Sequence, residues 1–182
     1  MPLDPQVEAL LNEMREMGAK PFEELSVAEA RIAARSFAEL QGPPEEVASI
    51  EHRFIPGPTA DLPVRIYTPE GDGPFPGLVY YHGSGWVVLN IEICDTTMRA
   101  LANSTGCVVV AVNYQKAPEH PFPIPYEDCW AGTLWTFEHA EELNVDPSRI
   151  ALLGDSAGGN PEWSVAFSGE TRQSPTSDLS GM

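Results

Sequence analysis

Basic residues are scarce in this sequence: its 182 residues include 10 Lys and Arg against 27 Asp and Glu, a formal net charge of −17. Such a chain repels polyanions, which argues against nucleic acid and anionic membranes as partners. Cysteine is also rare. Cys94, Cys107 and Cys129 show no metal-ligand spacing, so no metal is expected. Cys107 sits in an apolar run and is expected to be a small buried residue. The cysteine count is odd, and the start Met1-Pro2-Leu3-Asp4-Pro5 has neither a basic nor an apolar character, so a reducing cytoplasm is the expected location. No apolar stretch approaches the roughly 20 residues that span a bilayer, and no stable membrane association is expected. Histidine is limited to His52, His82, His120 and His139. The rest is ordinary for a globular protein, with 42% hydrophobic and 20% charged residues and enough length for one real core.

Against this background one stretch stands out. Ile150, Ala151, Leu152 and Leu153 form a short apolar run that stops at Gly154, and Asp155, Ser156, Ala157, Gly158, Gly159 and Asn160 follow. This is G-x-S-x-G directly after a strand pattern. A nucleophilic serine must sit on a sharp strand-to-helix turn with its hydroxyl out of the sheet. Its neighbours two before and two after must then be nearly free of side chains. Gly154 and Gly158 meet that need, although a plain glycine-rich turn would show the same letters. The helix that follows would aim its first N–H groups at the site, where a developing oxyanion can use them. Asp155 is expected to support this turn. A second apolar run, residues 76–81, enters His82-Gly83-Ser84-Gly85-Trp86. Small residues there let backbone N–H groups reach a substrate carbonyl oxygen.

Both segments resemble the hormone-sensitive-lipase-like family of α/β-hydrolases, which includes many bacterial carboxylesterases. Its G-D-S-A-G-G-N signature is matched in full by Gly154 to Asn160. Its H-G-G-G signature is matched at His82, Gly83 and Gly85, with Ser84 where glycine is usual. Asn113-Tyr114 and the run Ala117-Pro118-Glu119-His120-Pro121-Phe122-Pro123 are a third family-like stretch. The resemblance implies a partial α/β-hydrolase fold: a mostly parallel sheet flanked by helices, with N-terminal cap helices. It implies hydrolysis of short- to medium-chain carboxylic esters through an acyl-Ser156 intermediate, on a small-molecule ester, without metal or organic cofactor. Ser84, Gly85 and Ala157 would supply the oxyanion hole. Trp86 would line the acyl pocket or pack beneath the cap.

In chain order, residues 4–19 show a helical stripe of Val7, Leu10, Leu11, Met14 and Met17, ended by Pro21. Ser26 and Glu29 form a capping box for a second helix over residues 27–41, with Val27, Ala30, Ala34, Phe37 and Leu40 on one side. Residues 48–56 and 62–68 read as a half-exposed edge hairpin. Residues 95–104 are helical, and residues 107–112 are a buried parallel strand. Residues 116–125 are a proline-rich loop. Residues 126–143 are a helix with Trp130, Leu134, Phe137 and Ala140 along one side, and residues 144–149 turn into the elbow strand. Strands alternating with helices imply right-handed parallel crossovers. The domain reading is cap helices over 1–45, hydrolase core over 46–160, and a non-family, disordered tail over 161–182.

The family takes its triad acid and then its histidine from beyond the nucleophile. After Ser156 this sequence has no histidine and only three acids, Glu162, Glu170 and Asp178. The triad is therefore expected to be incomplete and this chain inactive alone, as the N-terminal part of a longer esterase would be. Plant hormone receptors of the same family keep the pocket and lose the histidine, so a non-catalytic, ligand-binding member is the alternative. Without further strands beyond it, residues 150–153 would be an exposed apolar edge, and self-association is expected.

Overall fold

A computed structural model of the chain describes residues 2–161. The expected tail, Pro161 apart, lies outside the described residues. Among the described residues five strands form one sheet: β1 (Ser49–Ile55), β2 (Leu62–Thr68), β3 (Phe75–Tyr81), β4 (Val108–Val112) and β5 (Val145–Gly154). Their order is β1-β2-β4-β3-β5. β1 and β2 pair antiparallel, as do β2 and β4, whereas β3 runs parallel to both β4 and β5. The sheet is mixed and mostly parallel, as expected: only β2 runs against the other four. β4, Val-Val-Val-Ala-Val, is buried at every position because it lies between strands and is covered on both faces.

The hairpin at the start of the sheet is not half-exposed throughout. β2 is the second strand in, flanked by β1 and β4, and Val64, Arg65, Ile66 and Tyr67 are all buried. Of the two hairpin strands, only β1 is an edge. Arg65 is tolerated in β2 because its guanidinium meets Asp95 at 3.0 Å and also pairs with Glu92. Cys107 lies just before β4 and is only half-buried; the deeply buried thiol is Cys129. The register of β5 on β3 breaks between Val145 and Ile150, so residues 146–149, expected as a turn, form a bulge within the strand.

Helix α1 (Pro5–Glu16) starts at Asp4, whose carboxylate accepts the N–H of Gln6 at 2.8 Å. It ends through Gly18 (φ +72°), three residues before Pro21. None of its residues is buried, so its apolar stripe is open among the described residues. The capping box of α2 (Val27–Ala33) forms as expected. The helix does not run to residue 41, because Ala34–Gln41 tightens into a 3₁₀ segment before Gly42 (φ +74°). Ser36 contributes to the tightening by bonding back to the Ala33 carbonyl at 2.8 Å. Helix α3 (Asp95–Thr105) ends on Gly106 in the left-handed region.

Helix α4 (Ile124–Glu138) departs most from expectation. It starts inside the proline-rich stretch, with Pro125 in its first turn, where a missing N–H costs nothing. Its buried face is Asp128, Cys129, Gly132, Thr133 and Thr136, while Leu134 and Phe137 are 40% and 44% exposed. The cause is close approach to the sheet: a Cβ on Gly132 would lie 2.7 Å from a Val112 methyl. Only small side chains fit there. The two threonine hydroxyls are satisfied within the helix, by the carbonyls of Cys129 (3.0 Å) and Gly132 (2.8 Å).

Candidate active site

β5 delivers Ser156 to the top of the sheet. The chain reverses at once into a 3₁₀ turn, Ser156–Gly158, and Ser156 takes φ +51°. A non-glycine residue in that region is strained, and the surroundings must hold it there. Two glycines do so by contact. A Cβ on Gly154 would lie 2.1 Å from the Gly158 carbonyl oxygen, and one on Gly158 would lie 2.0 Å from that of Tyr81. The motif spacing therefore reflects backbone-on-backbone packing.

The loop after β3 meets this turn. A Cβ on Gly83 would fall 2.1 Å from the Asp155 carboxylate. Instead the Gly83 N–H donates to Asp155 Oδ1 at 2.8 Å, and the Tyr80 hydroxyl donates to the same oxygen. Burial first, and then Asp155, raises the Tyr80 phenol above its usual range, so it stays a donor. Asp155 thus ties the glycine loop to the serine turn. The left-handed residues of the loop are Gly85 (φ +51°) and Trp86 (φ +66°), not Ser84. Serine fits in place of glycine for that reason, and its side chain is used. The Tyr114 hydroxyl donates to the His82 carbonyl at 2.5 Å, so Ser84 Oγ donates to Tyr114 (2.8 Å) and accepts the Trp86 N–H (2.8 Å). Sequence reasoning missed Tyr80 and the part played by Tyr114. The signals for Tyr114 were its place just after the β4 run and its part in the family-like stretch at Asn113-Tyr114; neither names its partners, which lie far away in the chain.

A cleft of about 470 Å³ carries Gly83, Ser84, Gly85, Asp155 and Ser156 on one wall. Phe22, Leu25, Val27, Ala30 and Phe37, from the N-terminal helical segments, face them. The N–H groups of Ser84 and Gly85 have no acceptor among the described residues, and that of Ala157 precedes the first bond of its turn. Trp86 does not line this cleft; it packs against the core and lies 6.4 Å from Tyr114, ring to ring. His82 is also away from it. The ring is fully buried, stacks on Tyr114 at 4.5 Å and bonds the Gly83 carbonyl through Nδ1 at 3.0 Å. Among the described residues no group of His, Cys, Asp and Glu could hold a metal ion, and no helix is long and apolar enough to cross a membrane.

Burial, and next the Lys116 charge, push His82 down to about 4. Between pH 6.5 and 4 the unfolded chain binds a proton there that the folded chain refuses, so stability falls as pH drops through that window. Roughly 1.5 units of that window lie above pH 5, worth about 2 kcal/mol. His82→Asn should flatten the difference in melting temperature between pH 7 and pH 5. An unchanged difference would show that His82 does not titrate in this way.

A strained serine turn after a parallel strand, locked to a glycine loop, defines an α/β-hydrolase. Residues 78–180 match a family described as alpha/beta hydrolase fold, and the chain belongs to that family. The match runs past Asn160. Within the family the chain is a member of the hormone-sensitive-lipase-like carboxylesterase group. It is 44% identical over 135 residues to the carboxylesterase NlhH of Mycobacterium tuberculosis, covering 71% of this chain and 42% of that protein. It is 35% identical over 160 residues to the carboxylic ester hydrolase LipN of the same organism, covering 87% of this chain and 43% of that protein. A hyperthermophilic esterase from Pyrobaculum calidifontis superposes with a TM-score of 0.86 at 34% identity, over 94% of this chain and 55% of its own. The chain spans about half the length of these relatives.

Proposed function

We propose that Ser156 is the nucleophile of a carboxylic ester hydrolase acting on short- to medium-chain acyl esters, of which this chain carries the N-terminal part. The observation that carries this reading is the strained Ser156 (φ +51°), set in one cleft with Ser84 and Gly85. The Ser156 oxygen attacks the acyl carbon, its proton passes to a base, and the carbonyl oxygen becomes an oxyanion. The N–H groups of Ser84, Gly85 and Ala157 receive that charge; one such donor is worth about 3 kcal/mol in an acyl-transfer site. Collapse of the tetrahedral intermediate expels the alcohol and leaves an acyl-serine, which water then hydrolyses. His82, Gly83, Gly154, Asp155 and Gly158 hold the two loops together. Residues 1–45 act as a cap, and the apolar side chains of the cleft receive the acyl chain. The base and its acid belong beyond residue 161, in the half of the relatives that this chain does not span.

The test is transplantation. Residues 1–160 joined to the C-terminal half of the mycobacterial carboxylesterase should hydrolyse p-nitrophenyl butyrate, and Ser156→Ala in that chimera should lower kcat by about 10⁴-fold or more. A folded chimera whose ester turnover is unchanged by Ser156→Ala would sink the assignment of this serine.

The same reading has a physical corollary at β5. It is the last strand on its side of the described sheet, and Ala151 and Leu153 are exposed on it. A free apolar edge pairs with other chains. Sedimentation velocity should show concentration-dependent association of the 182-residue chain. Leu153→Lys should weaken it roughly tenfold, about 1.4 kcal/mol. A wild-type monomer into the millimolar range would contradict this.

A further inference from the structure

Leu89 lines two clefts. One holds Ser156; the other, of about 480 Å³, lies between the α2 region and the loop at residues 113–120 and does not reach the serine. This second cleft is cationic in a chain where acids outnumber bases 27 to 10. Its charged walls are Arg31, Arg35, Lys116 and Glu119, with His120 beside them.

The charges do not cancel. Among the described residues Glu119 is the only carboxylate on the walls, and Arg31 takes both of its oxygens at 2.7 Å. Two further Arg31 donors go to the carbonyls of Val87 (2.9 Å) and Ala117 (3.0 Å). That pair is fixed and neutral. Arg35 has no hydrogen bond or ion pair among the described residues. The Lys116 ammonium donates to the Tyr114 carbonyl at 2.9 Å and to Asn113 Oδ1 at 3.4 Å, and stands 5.3 Å from the Tyr114 ring centre. It meets no carboxylate among the described residues. A half-buried ammonium without a counter-ion is costly, and an anion in the cleft removes that cost. Pro63, Leu89 and Ile93 add apolar surface to the same cleft, so the anion that fits carries a carbon body.

We propose that this cleft binds a small organic carboxylate, its charge taken by Arg35 and Lys116 and its carbon body lying on Pro63, Leu89 and Ile93. The site is separate from the Ser156 cleft and does not rest on the role given to Ser156. Burial, and next the charge of Arg31, bring Lys116 down to about 8, so the amine loses its proton as pH rises past that value. The groups that face it are Arg31 from α2, His82 at the end of β3, Asp128 and Cys129 from α4, and Glu119 and His120 from its own loop. Carboxylate binding should therefore weaken above pH 8.

The experiment is a calorimetric titration of the 182-residue chain with sodium hexanoate. Saturable binding is expected, weakened at least roughly tenfold by Lys116→Met and by Arg35→Gln, and unchanged in Ser156→Ala. Arg35 is exposed, so Arg35→Gln keeps the fold and decides the matter if Lys116→Met does not fold. Hexanamide should not bind, and ethyl hexanoate should not displace hexanoate. Equal binding by Arg35→Gln, or equal binding of hexanamide, overturns the proposal. Displacement by ethyl hexanoate would place the ligand in the Ser156 cleft and overturn it as well. Displacement by inorganic phosphate at the same concentration as hexanoate would show a bare anion site and overturn the organic carboxylate.

Discussion

Gly158→Ala is expected to destabilise the chain by about 3 kcal/mol or more, lowering the melting temperature by roughly 6–12 °C. The added methyl would lie 2.0 Å from the Tyr81 carbonyl oxygen, 2.7 Å from its carbon and 2.9 Å from the His82 oxygen. All three atoms are backbone at the end of β3, where the chain cannot yield without moving the glycine loop. Gly158 is also tied by its own N–H to the Asp155 carbonyl at 2.7 Å, so it cannot retreat. Gly85→Ala is the control. A Cβ there meets nothing within 4 Å, and the cost is that of the positive φ alone, about 1–2 kcal/mol. Calorimetric melts of the two variants should therefore separate clearly. If Gly158→Ala melts within about 2 °C of the parent chain, the two loops are not locked by backbone contact.

That contrast shows what the sequence could reveal. Steric necessity leaves letters behind. Gly154 and Gly158 are glycines because carbonyl oxygens occupy the space of their side chains, and the spacing around Ser156 was readable for that reason. β4 was readable because burial on both faces demands an unbroken apolar run. Other features left no local trace. Tyr80 and Asp155 share a hydrogen bond across 75 positions, which no periodicity encodes. The face of α4 was misread in part: of the expected stripe, Trp130 packs against the core and Ala140 is buried, but Leu134 and Phe137 are exposed. Close approach at Gly132 selected small and hydroxylated residues beside it, and Leu134 and Phe137 turned outward. β2 was placed at the edge because its alternation was partial; a buried Arg65 broke the apolar run that its interior position would otherwise show. The glycine-to-serine change at residue 84 illustrates a third case. The sequence marked the departure, but only the hydrogen bonds to Tyr114 and Trp86 explain why it is accommodated.

The 182-residue chain by itself should hydrolyse p-nitrophenyl butyrate no faster than its Ser156→Ala variant. A serine hydroxyl needs a base to become a nucleophile, and the four histidines are engaged elsewhere or far from the cleft. His82 bonds the Gly83 carbonyl, is fully buried, and is pushed down to about 4, too weak a base at neutral pH. His139 bonds the Trp135 carbonyl at 2.9 Å and stacks on that ring at 4.5 Å. His52 accepts from Arg65 in the β1–β2 hairpin, and His120 lines the carboxylate cleft. In serine hydrolases the loss of the histidine alone costs about 10⁶ in kcat, and what survives comes from the oxyanion donors and substrate binding. That remainder does not require Ser156, so the variant should match the parent within about twofold. A rate that depends on Ser156 would mean that a base does reach it. Were His120→Ala then to abolish the rate, the loop at residues 113–120 would have to swing from its own cleft to the serine. Were the rate instead to rise with the square of the chain concentration, a second copy paired along β5 would be supplying the base.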